Sequence, residues 1–563
     1  KNEGIITSPR GEVVLAAGNT VELVNPGTPN LKGEITAPDN QALNLGQIMA
    51  DSGRIGIYAG LVNQSGTLQA NTAVATEDGR IMLKATKAVS VTPGSVTTAT
   101  GALGIEGGDV TIASNVSSGP QTISAAGGLT VQSGLLAASG GQTINAQFVE
   151  VIAPSAGFAS ISNNGSGDQI ITTTGMNAAG EGLAVRSGGF AQIQQNAAGQ
   201  QQVINVTNAD RLTLDGSAGF AGIFALSSDQ TVSVTGGGAN AIVIGNPTST
   251  GISNLGGMSQ HVTAGLPGQS GSISITGSAG NKQFPGLRHQ PGSGDHGQVV
   301  NTTGTLSITG GSASSGISSG IFQTRAGTQE VSASAIALQG GSSGSGNNAQ
   351  INAGTADQRI TVGPGGLTLL GGLGGVNNIA FLNAATQDIY TSGNVTVIGG
   401  SGSGNSSLIG APAGVAHNLQ LTAGGDVVLT GGSAATTGAN IGTTGGAPLA
   451  PTNISINAGG SVILNSGAGG NARIGSSANA PAAGGDISIS AGRDIQLNGT
   501  TQTARIRTLG DVTLNAAGTI SEGPNGFIEA GGLTTIFSTG TRLTAPHHGA
   551  SFTATNTAPR DVA

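Results

Sequence analysis

One short pattern recurs through most of the chain and constrains its fold more than any other feature. A Gln is followed two residues later by Ile or Val at ten places, and a shorter polar residue, in a shifted apolar register, continues the series at three more. The series is Gln121, Gln142, Gln169, Gln202, Gln230, Gln260, Gln298, Gln329, Gln358, Gln387, Asn418, Asn453 and Asp486. Its twelve intervals average about 30 residues and range from 21 to 38, which is typical of a repeat architecture.

Two further short segments follow within each repeat. The second is typified by 304–311, in which apolar Leu306 and Ile308 stand two residues apart, and the third by 190–193, with Phe190 and Ile193. A period of two predicts strands, the intervening Gly, Ser and Asn predict turns, and nothing between them resembles an amphipathic helix. Three short strands cannot bury their inner face alone, so each coil must stack on the next in parallel. The sequence therefore predicts an all-β fold, a parallel β-helix with three-strand coils.

The composition agrees with this fold and excludes other classes. The chain of 563 residues contains 101 Gly, 46 charged residues, and neither Cys nor Trp. Gly suits coil corners, and a narrow interior favours branched aliphatics over Trp. The absence of Cys excludes a disulfide scaffold and cysteine-ligated metals. With no run of Lys or Arg and no stretch of about 18 apolar residues, we expect neither a nucleic-acid partner nor a transmembrane segment.

Stacked coils bring equivalent residues close together, which leads to three expectations about side chains. The Gln series should form a hydrogen-bonded ladder, at an outward or corner position. Charges should be sparse, because like charges about 4.8 Å apart in successive coils repel each other. Five Phe residues fall in the third segment, where they either stack on one another or simply fill the core; they are Phe158, Phe190, Phe220, Phe322 and Phe381.

The first hundred residues follow a tighter rhythm. Gly46 and Gly66 occupy equivalent places 20 residues apart, and Gly53 and Gly79 occupy equivalent places 26 apart. We accordingly divide the chain into 1–100, a β-helical segment with tighter coils, 101–540, a β-helix of about 30-residue repeats, and 541–563, an irregular tail that we expect to be truncated.

A family resemblance lies in this first segment. Its carriers are Asn2-Glu-Gly-Ile-Ile6, the segments 11–18 and 62–68, and Gly79-Arg-Ile-Met-Leu-Lys84. Their rhythm resembles that of filamentous haemagglutinin-like exoproteins, the secreted partners of two-partner secretion systems in Gram-negative bacteria. In that family the end of a secretion domain leads into a long right-handed β-helix. The specific match covers about 100 residues, and the remainder resembles the family only as β-helix repeats.

The resemblance implies a function. A member of this family would be a secreted or cell-surface adhesin, exported with the help of an outer-membrane transporter partner. It would act in cell adhesion, biofilm formation or virulence, with cell or surface glycans or proteins as possible partners. The mechanism would be multivalent contact along a long non-catalytic shaft.

A search for catalytic chemistry leads to the prediction of no catalytic, cofactor-binding or metal-ligating residue, and hence no enzyme and no cofactor. There are six His residues, at 261, 289, 296, 417, 547 and 548. None has a pair of acids near it in the sequence, and only His296 has one directly adjacent, Asp295. The strand-start acids are Asp109, Asp426, Asp486, Asp494 and Asp511; those in Gly-Asp-Val/Ile fit turn formation. Stacked carboxylates remain possible at Asp486 and Asp511, which stand about one coil apart.

Two alternatives remain open. β-Helices also host polysaccharide lyases and glycoside hydrolases, whose sites need two or three acids converging on one face. An ice-binding solenoid is a third interpretation, which the irregular spacing disfavours. For any binding role, the irregular stretches 29–45, 245–300, 400–418 and 432–452 are the candidate loops.

Overall fold

A computed structural model describes the chain except for residues 19–20, 25–31, 36–39, 73–78, 210, 237–238, 278–284, 292–296, 315, 317, 325–326, 413, 444–450, 477–483, 545–548 and 559–563. At 21–24, 32–35, 217–218 and 246–250 only the backbone is described. The described residues form strands, turns and bends, and none of them forms a helix that could cross a membrane. The chain divides into two compact units, residues 1–243 with 250–266, and residues 244–249 with 267–563.

The strands up to residue 266 are short, apart from a few that run across two faces of a coil. They are β1 Ile5–Thr7, β2 Glu12–Ala16, β3 Val21–Val24, β4 Lys32–Ile35, β5 Gln41–Asn44, β6 Gln47–Met49, β7 Arg54–Gln64, β8 Thr67–Ala70, β9 Arg80–Val91, β10 Val96–Ala99, β11 Leu103–Gly107, β12 Asp109–Ile112, β13 Asn115–Ser118, β14 Gln121–Ala125, β15 Gly128–Gln132, β16 Gly134–Ala138, β17 Gln142–Ala146, β18 Phe148–Ala153, β19 Phe158–Asn163, β20 Gln169–Thr173, β21 Glu181–Ser187, β22 Phe190–Gln195, β23 Gln201–Val206, β24 Arg211–Leu226, β25 Asp229–Val234, β26 Ile242–Leu255 and β27 Gln260–Ala264.

The strands after residue 266 continue the same alternation of short strands and turns. They are β28 Ile273–Thr276, β29 Gly286–Gln290, β30 Gln298–Thr302, β31 Thr305–Thr309, β32 Ser319–Gln323, β33 Thr328–Ala333, β34 Ala335–Gln339, β35 Ala349–Asn352, β36 Asp357–Val362, β37 Leu367–Leu370, β38 Ala380–Asn383, β39 Thr386–Thr391, β40 Val395–Ile398, β41 Ser407–Ala411, β42 His417–Ala423, β43 Val427–Thr430, β44 Ala439–Thr443, β45 Thr452–Ala458, β46 Val462–Asn465, β47 Ala472–Gly475, β48 Ile487–Ala491, β49 Ile495–Asn498, β50 Ala504–Arg507, β51 Val512–Ala516, β52 Thr519–Glu522, β53 Gly526–Glu529, β54 Gly532–Phe537, β55 Gly540–Arg542 and β56 Ser551–Asn556.

Within each unit, most strands pair in parallel with the strand three positions further along the chain. In the first unit, β14 pairs with β17 so that Ile123 lies beside Ile144. In the second unit, β31 pairs with β34 so that Leu306 lies beside Ile336. Only the hairpin of β3 and β4 is antiparallel among the described pairings. Each coil thus contributes three strands, and each strand pairs with the equivalent strand of the next coil. This arrangement is a parallel β-helix, and the predicted fold class is confirmed.

The core of each unit is a set of aliphatic columns inside the coils. Ile454 and Ile456 of β45 lie beside Ile487 and Ile489 of β48, and all four are at most 2 % exposed. The residues between them point outward, because successive side chains of a strand face opposite sides. Branched aliphatics stack well in such columns because they have few rotamers and fit a pleated surface.

The length of a coil varies along the chain. Gln47 pairs with Thr67, a step of 20, and Leu103 pairs with Gln121, a step of 18. Asn418 pairs with Asn453, a step of 35, and Leu533 pairs with Phe552, a step of only 19. Tight coils therefore extend beyond the first hundred residues and return near residue 533. Within 541–563, expected to be irregular, strand β56 pairs in register with β54; the division at 100 and 540 stays a prediction.

The predicted glutamine ladder is present in both units. In the first unit each Gln donates its Nε2–H to Oε1 of the preceding Gln, at 2.7–2.8 Å, through Gln121, Gln142, Gln169, Gln202, Gln230 and Gln260. In the second unit the same bond, at 2.7–2.8 Å, links Gln298, Gln329, Gln358 and Gln387. The ladder is confirmed.

The expected outward position of the ladder is wrong. Its Gln side chains are 0–2 % exposed and, although they stand at the first or second residue of their strands, they point into the coil. Gln202 shows how a buried amide is accommodated, because it also donates to the carbonyl oxygen of Phe224 at 2.9 Å. A buried amide with protein partners on both sides avoids the cost of an unsatisfied polar group.

A second buried ladder lies among the tight coils of the first unit. Asn2 Nδ2 donates to Asn44 Oδ1, and Asn44 Nδ2 donates to Gln64 Oε1, both at 2.8 Å. Asn2 and Gln64 belong to the segments that carry the family resemblance. These two motif residues therefore have a structural role inside the coil.

Three of the five Phe residues of the third segment, Phe158, Phe190 and Phe220, do stack, but on the outside. The ring centroids of Phe158 and Phe190 are 5.6 Å apart, and those of Phe190 and Phe220 are 4.5 Å apart, with nearly parallel planes. Phe158 is 41 % exposed and Phe190 37 %, so the core-filling interpretation is wrong for these two. Phe322 and Phe381 occupy half-exposed positions in β32 and β38.

Candidate functional site

One surface concavity of the described residues is a groove in the second unit. Its volume is about 690 Å³, and it crosses the outward face of five successive strands, β39, β42, β45, β48 and β51. A groove of this volume is within the size range of small-ligand sites. We refer to it as the polar groove; it is lined by Thr386, Gln387, Asp388, Asn418, Leu419, Gln420, Asn453, Ile454, Ser455, Asp486, Ile487, Ser488, Asp511 and Thr513.

The alternation of each strand places polar side chains on the groove. In β42, Leu419 and Leu421 are buried in the coil, whereas Asn418 and Gln420 are exposed. Because the strands are in register, the outward residues form columns along the stack. The first column contains Asn418, Asn453, Asp486 and Asp511, and the second contains Asp388, Gln420, Ser455, Ser488 and Thr513.

The first column is held together by bonds from one coil to the next. Asn418 Oδ1 accepts from Asn453 Nδ2 at 2.9 Å, and Asn453 Oδ1 accepts from the backbone N–H of Asp486 at 3.1 Å. Asp486 Oδ1 in turn accepts from the backbone N–H of Asp511 at 2.9 Å. Asn453 and Asp486 thus each hold the start of a strand in the next coil, and Asn418 bonds to the side chain of Asn453.

The other strand-start acids act in the same way. Asp109 accepts from the backbone N–H of Gly128 at 3.0 Å, Asp426 from that of Ser461 at 2.7 Å, and Asp494 from that of Thr519 at 2.7 Å. Bonds from backbone and side chain of Thr519 lower the pKa of Asp494 below its usual value. Asp109, Asp426 and Asp486 thus bond to the backbone of the next coil rather than to their own turn. The turn-forming interpretation of Asp109, Asp426, Asp486 and Asp511 stays a prediction.

The second column differs, because its side chains are not used by the fold. Within the described part of the chain, the side chains of Asp388, Gln420, Ser455, Ser488 and Thr513 make no hydrogen bond. They present one carboxylate, one amide and three hydroxyl groups at intervals of about 4.8 Å. Such a row offers alternating donors and acceptors to a ligand rich in hydroxyl groups.

The acids of the polar groove do not form the convergent set that a carbohydrate enzyme needs. Along the second column, Asp388 lies three coils before Ser488, a distance of about 14 Å at the usual strand spacing, and Asp486 lies in the same coil as Ser488. Asp486 and Asp511 lie in adjacent coils, and Asp486 is committed to the backbone of the next one. The geometry suits recognition of a ligand more than acid–base catalysis, which needs a matched pair flanking one bond.

A separate charged cluster lies in the first unit and was not anticipated from the sequence. Glu181 opens strand β21, with a side chain that is only 2 % exposed, and both of its carboxylate oxygens accept from Arg186. Arg211 Nε lies 3.6 Å from Glu181 Oε1. Asn177 Nδ2 bridges the two acids, at 2.9 Å from Glu150 Oε1 and 3.0 Å from Glu181 Oε2.

The electrostatics of this cluster indicate a structural ion pair. Burial raises the pKa of Glu181, but hydrogen bonds from Arg186, Asn177 and Thr213 lower it by more, and the pKa ends below its usual value. A general acid of a glycosidase needs the opposite shift. Glu181 is therefore ionised and paired at neutral pH.

The His residues are dispersed over the structure. His261 is exposed on β27, whereas His289 and His417 are buried in β29 and β42. Asp295, His296, His547 and His548 lie outside the described residues. Among the residues that are described, no group of three or more His, Asp or Glu is placed to hold a metal ion.

The sequence does contain a signal for the polar groove, in the alternation of its strands. The candidate loops were chosen for irregularity, yet the groove is built on regular strands, and of those loops only 400–418 contributes a lining residue, Asn418. Period-two alternation identifies Gln420 and Ser455 as outward residues of successive repeats.

Comparisons of the chain with protein-family models, with curated proteins and with solved structures found no match.

Proposed function

We propose that the protein is a non-catalytic adhesin shaft, secreted to the cell surface of a Gram-negative bacterium, that mediates attachment to cells or surfaces. The observation that carries this proposal is the second column of the polar groove. There, unpaired polar side chains follow one another on successive rigid strands, as a surface for repeated contacts requires. Hydroxyl-rich glycans are the ligand class that such side chains suit best.

Attachment along such a surface would work through many weak contacts. A single Ser or Gln contributes little, since an exchange of hydrogen bonds with water is nearly balanced. When several contacts are held on one support, each later contact forms at a high effective concentration, and the total affinity exceeds that of any one. The ladders beneath the surface support this role because they fix the register of successive coils.

Export of the chain is the second part of the proposal. It rests on the resemblance of residues 1–100 to secreted partners of two-partner secretion systems, and it implies an outer-membrane transporter as partner during export. The buried ladder of Asn2, Asn44 and Gln64 supports this part to the extent that two residues of the resembling segments, Asn2 and Gln64, hold successive coils together through Asn44. Loss of export on deletion of residues 1–100 tests this part separately.

Attachment is tested with beads that carry the full chain and flow over glycan-coated surfaces or cultured cells. The triple variant Gln420→Ala/Ser455→Ala/Ser488→Ala should lower bead retention by about tenfold, because three adjacent contacts are lost from a multivalent set. The matched control, Thr396→Ala/Thr430→Ala/Gln496→Ala, removes half-exposed side chains from another face of the same region and should retain the beads like the wild type. Equal retention by the groove variant, with an unchanged circular dichroism spectrum, would contradict the proposal.

The carbohydrate-enzyme alternative is tested in parallel. The adjacent acids Asp486 and Asp511 are its best candidates. New reducing ends released from a polysaccharide by the wild type, and not by Asp511→Asn, would favour the enzyme over the shaft. Retention without cleavage would favour the shaft.

A further inference from the structure

Three arginines lie together in the second unit, on the face formed by the third strand of each coil. Their grouping is unexpected, because like charges in adjacent coils repel each other. Arg473 of β47 lies beside Arg505 of β50, and Arg507 lies two residues further along β50. Ala472, Ile474, Ala504 and Ile506 fill the core, so the arginines point outward from their strands. Stacked like charges about one strand spacing apart are destabilising unless something compensates them.

Arg473 is the most unusual of the three. Although it points outward, it is only 8 % exposed, and its Nε is buried without a hydrogen-bond partner. Its Nη2 donates to the carbonyl oxygen of Thr443 at 3.0 Å. Burial, reinforced by the charges of Arg505 and Arg507, lowers the pKa of Arg473 to about 10, so it is still a cation at neutral pH.

No carboxylate of the described residues pairs with Arg473 or Arg505. The only acid of the cluster, Glu529, accepts from Arg507 Nε. Arg505 lies over the ring of Phe527, 5.0 Å from its centroid, and its Nε and Nη2 make long hydrogen bonds to Thr503 Oγ1, at 3.4 and 3.2 Å. The segments 444–450 and 477–483, which follow β44 and β47 in the sequence, contain no Asp or Glu. Among the described residues, the cluster therefore has three positive charges against one negative charge.

We propose that Arg473 and Arg505 form a binding site for a doubly charged tetrahedral oxyanion, a phosphate or the phosphate group of an ester. A dianion balances the net charge of the cluster. Guanidinium groups offer forked donors that match phosphate oxygens, and a tetrahedral anion has enough oxygens to bridge two forks in successive coils. A carboxylate, with two oxygens in one plane, would satisfy only one fork. This site is independent of the polar groove and of the adhesin proposal.

Calorimetric titration of the full chain with sodium phosphate, in a buffer free of phosphate and sulfate, tests the site. We expect one phosphate per chain, and at least tenfold weaker binding by Arg473→Met and by Arg505→Met. Without phosphate, Arg473→Met should melt at a higher temperature than the wild type, because it removes a buried charge that has no counter-ion. The control Arg493→Met removes a well-exposed arginine that pairs with Asp426, and it should bind phosphate like the wild type.

Further titrations identify the source of the anion. Binding of both phosphate and glycerol 3-phosphate would support a site open to phosphate esters, whereas binding of phosphate alone would support an enclosed ion site. Acetate binding as strong as that of phosphate would overturn the choice of a dianion. The site itself is refuted if millimolar phosphate gives no saturable heat, or if the wild type and the folded Arg505→Met variant bind it equally.

Discussion

His417 Nε2 lies 2.9 Å from Gln387 Oε1 and so ends the ladder, although the residue in register with Gln387 is Leu419, two positions further along β42. Gln387 donates its own amide N–H to Gln358, so its Oε1 is the acceptor and the imidazole is the donor. The ring must therefore carry its proton on Nε2, which leaves Nδ1 buried without a partner. A neutral His with this tautomer completes the ladder, and a protonated one would bury an uncompensated charge.

This arrangement predicts a loss of stability in mild acid. Burial lowers the pKa of His417 from 6.5 to about 4 in the folded protein, so the unfolded chain binds the proton more readily. The stabilisation is complete above pH 6.5 and is lost as the pH falls toward 4, with a limit of about 3 kcal/mol.

Urea denaturation at pH 7.5 and pH 4.5 measures this loss. In His417→Gln the side chain does not titrate and can continue the ladder, so the variant should lose less stability than the wild type between the two pH values. An identical loss in both proteins would mean that other groups account for the acid sensitivity.

The ladder itself predicts a large cost for a nearly isosteric apolar substitution. Gln202→Leu removes the donor to Gln169 Oε1 and the acceptor for Gln230 Nε2, and both partners are buried. We expect a loss of about 2–4 kcal/mol in the free energy of unfolding, because two polar groups lose a partner inside the coil. The neighbouring Gln201 is exposed, and Gln201→Leu should stay within about 0.5 kcal/mol of the wild type. Comparable losses in the two variants would refute a specific role for the ladder.

The ladder also shows what the sequence could predict. Recurrence of one residue type at equivalent places predicted the bond, since stacked copies of Gln must meet. The inward position was missed because a polar residue at a strand start suggested solvent. However, Gln202 stands two residues before Ile204, which is fully buried, and period-two alternation places both on the same face. The position of a residue in the period-two alternation therefore predicts which way its side chain points better than its polarity does.

Other features depend on geometry that no repeat pattern contains. Glu181 and Arg186 form a buried pair because the register of β21 shifts between Glu181 and Leu183, and such a bulge has no clear sequence signal. Arg473 and Arg505 contradict the expectation of sparse charge, and their stacking follows only from the observed coil lengths. The length of a coil, which varies between 18 and 35 residues in the examples above, decides which side chains meet. The strand pattern does not determine this length, because the turns between strands vary.

The corners of the coils predict a third effect, at glycines that touch the next coil. A Cβ at Gly432 would overlap the backbone oxygen of Gly400, and backbone cannot move aside as a flexible side chain can. Gly432→Ala should therefore cost about 2 kcal/mol through overpacking. A Cβ at Gly484 meets nothing within 4 Å, so Gly484→Ala serves as the control and should be nearly neutral. Thermal denaturation followed by circular dichroism compares the two, and equal melting temperatures would contradict the packing account.

The ion pair of the first unit gives the last prediction. Glu181→Gln removes the carboxylate whose two oxygens both bind Arg186 and leaves Glu150, 3.8 Å away, as the nearest remaining counter-charge. Because Arg186 is only partly buried, we expect a cost of about 3 kcal/mol, the lower end for a broken buried pair. The pKa of Glu181 is lowered in the folded protein, so its contribution is present above the unfolded value of 4.5 and is lost as the pH falls through the folded value. The variant should accordingly approach the stability of the wild type in strong acid.

Urea denaturation from pH 7 downward measures this convergence. The exposed pair of Glu330 and Arg359, joined at 2.8 Å, is the matched control, because its side chains are 42 % and 60 % exposed. Glu330→Gln should cost less than about 1 kcal/mol, since water screens an exposed pair. If Glu181→Gln were as mild at pH 7 as Glu330→Gln, burial would not be what makes the Glu181 pair strong. A double variant that adds Arg186→Met should recover part of the loss, because it removes a partly buried cation that has lost its closest counter-charge.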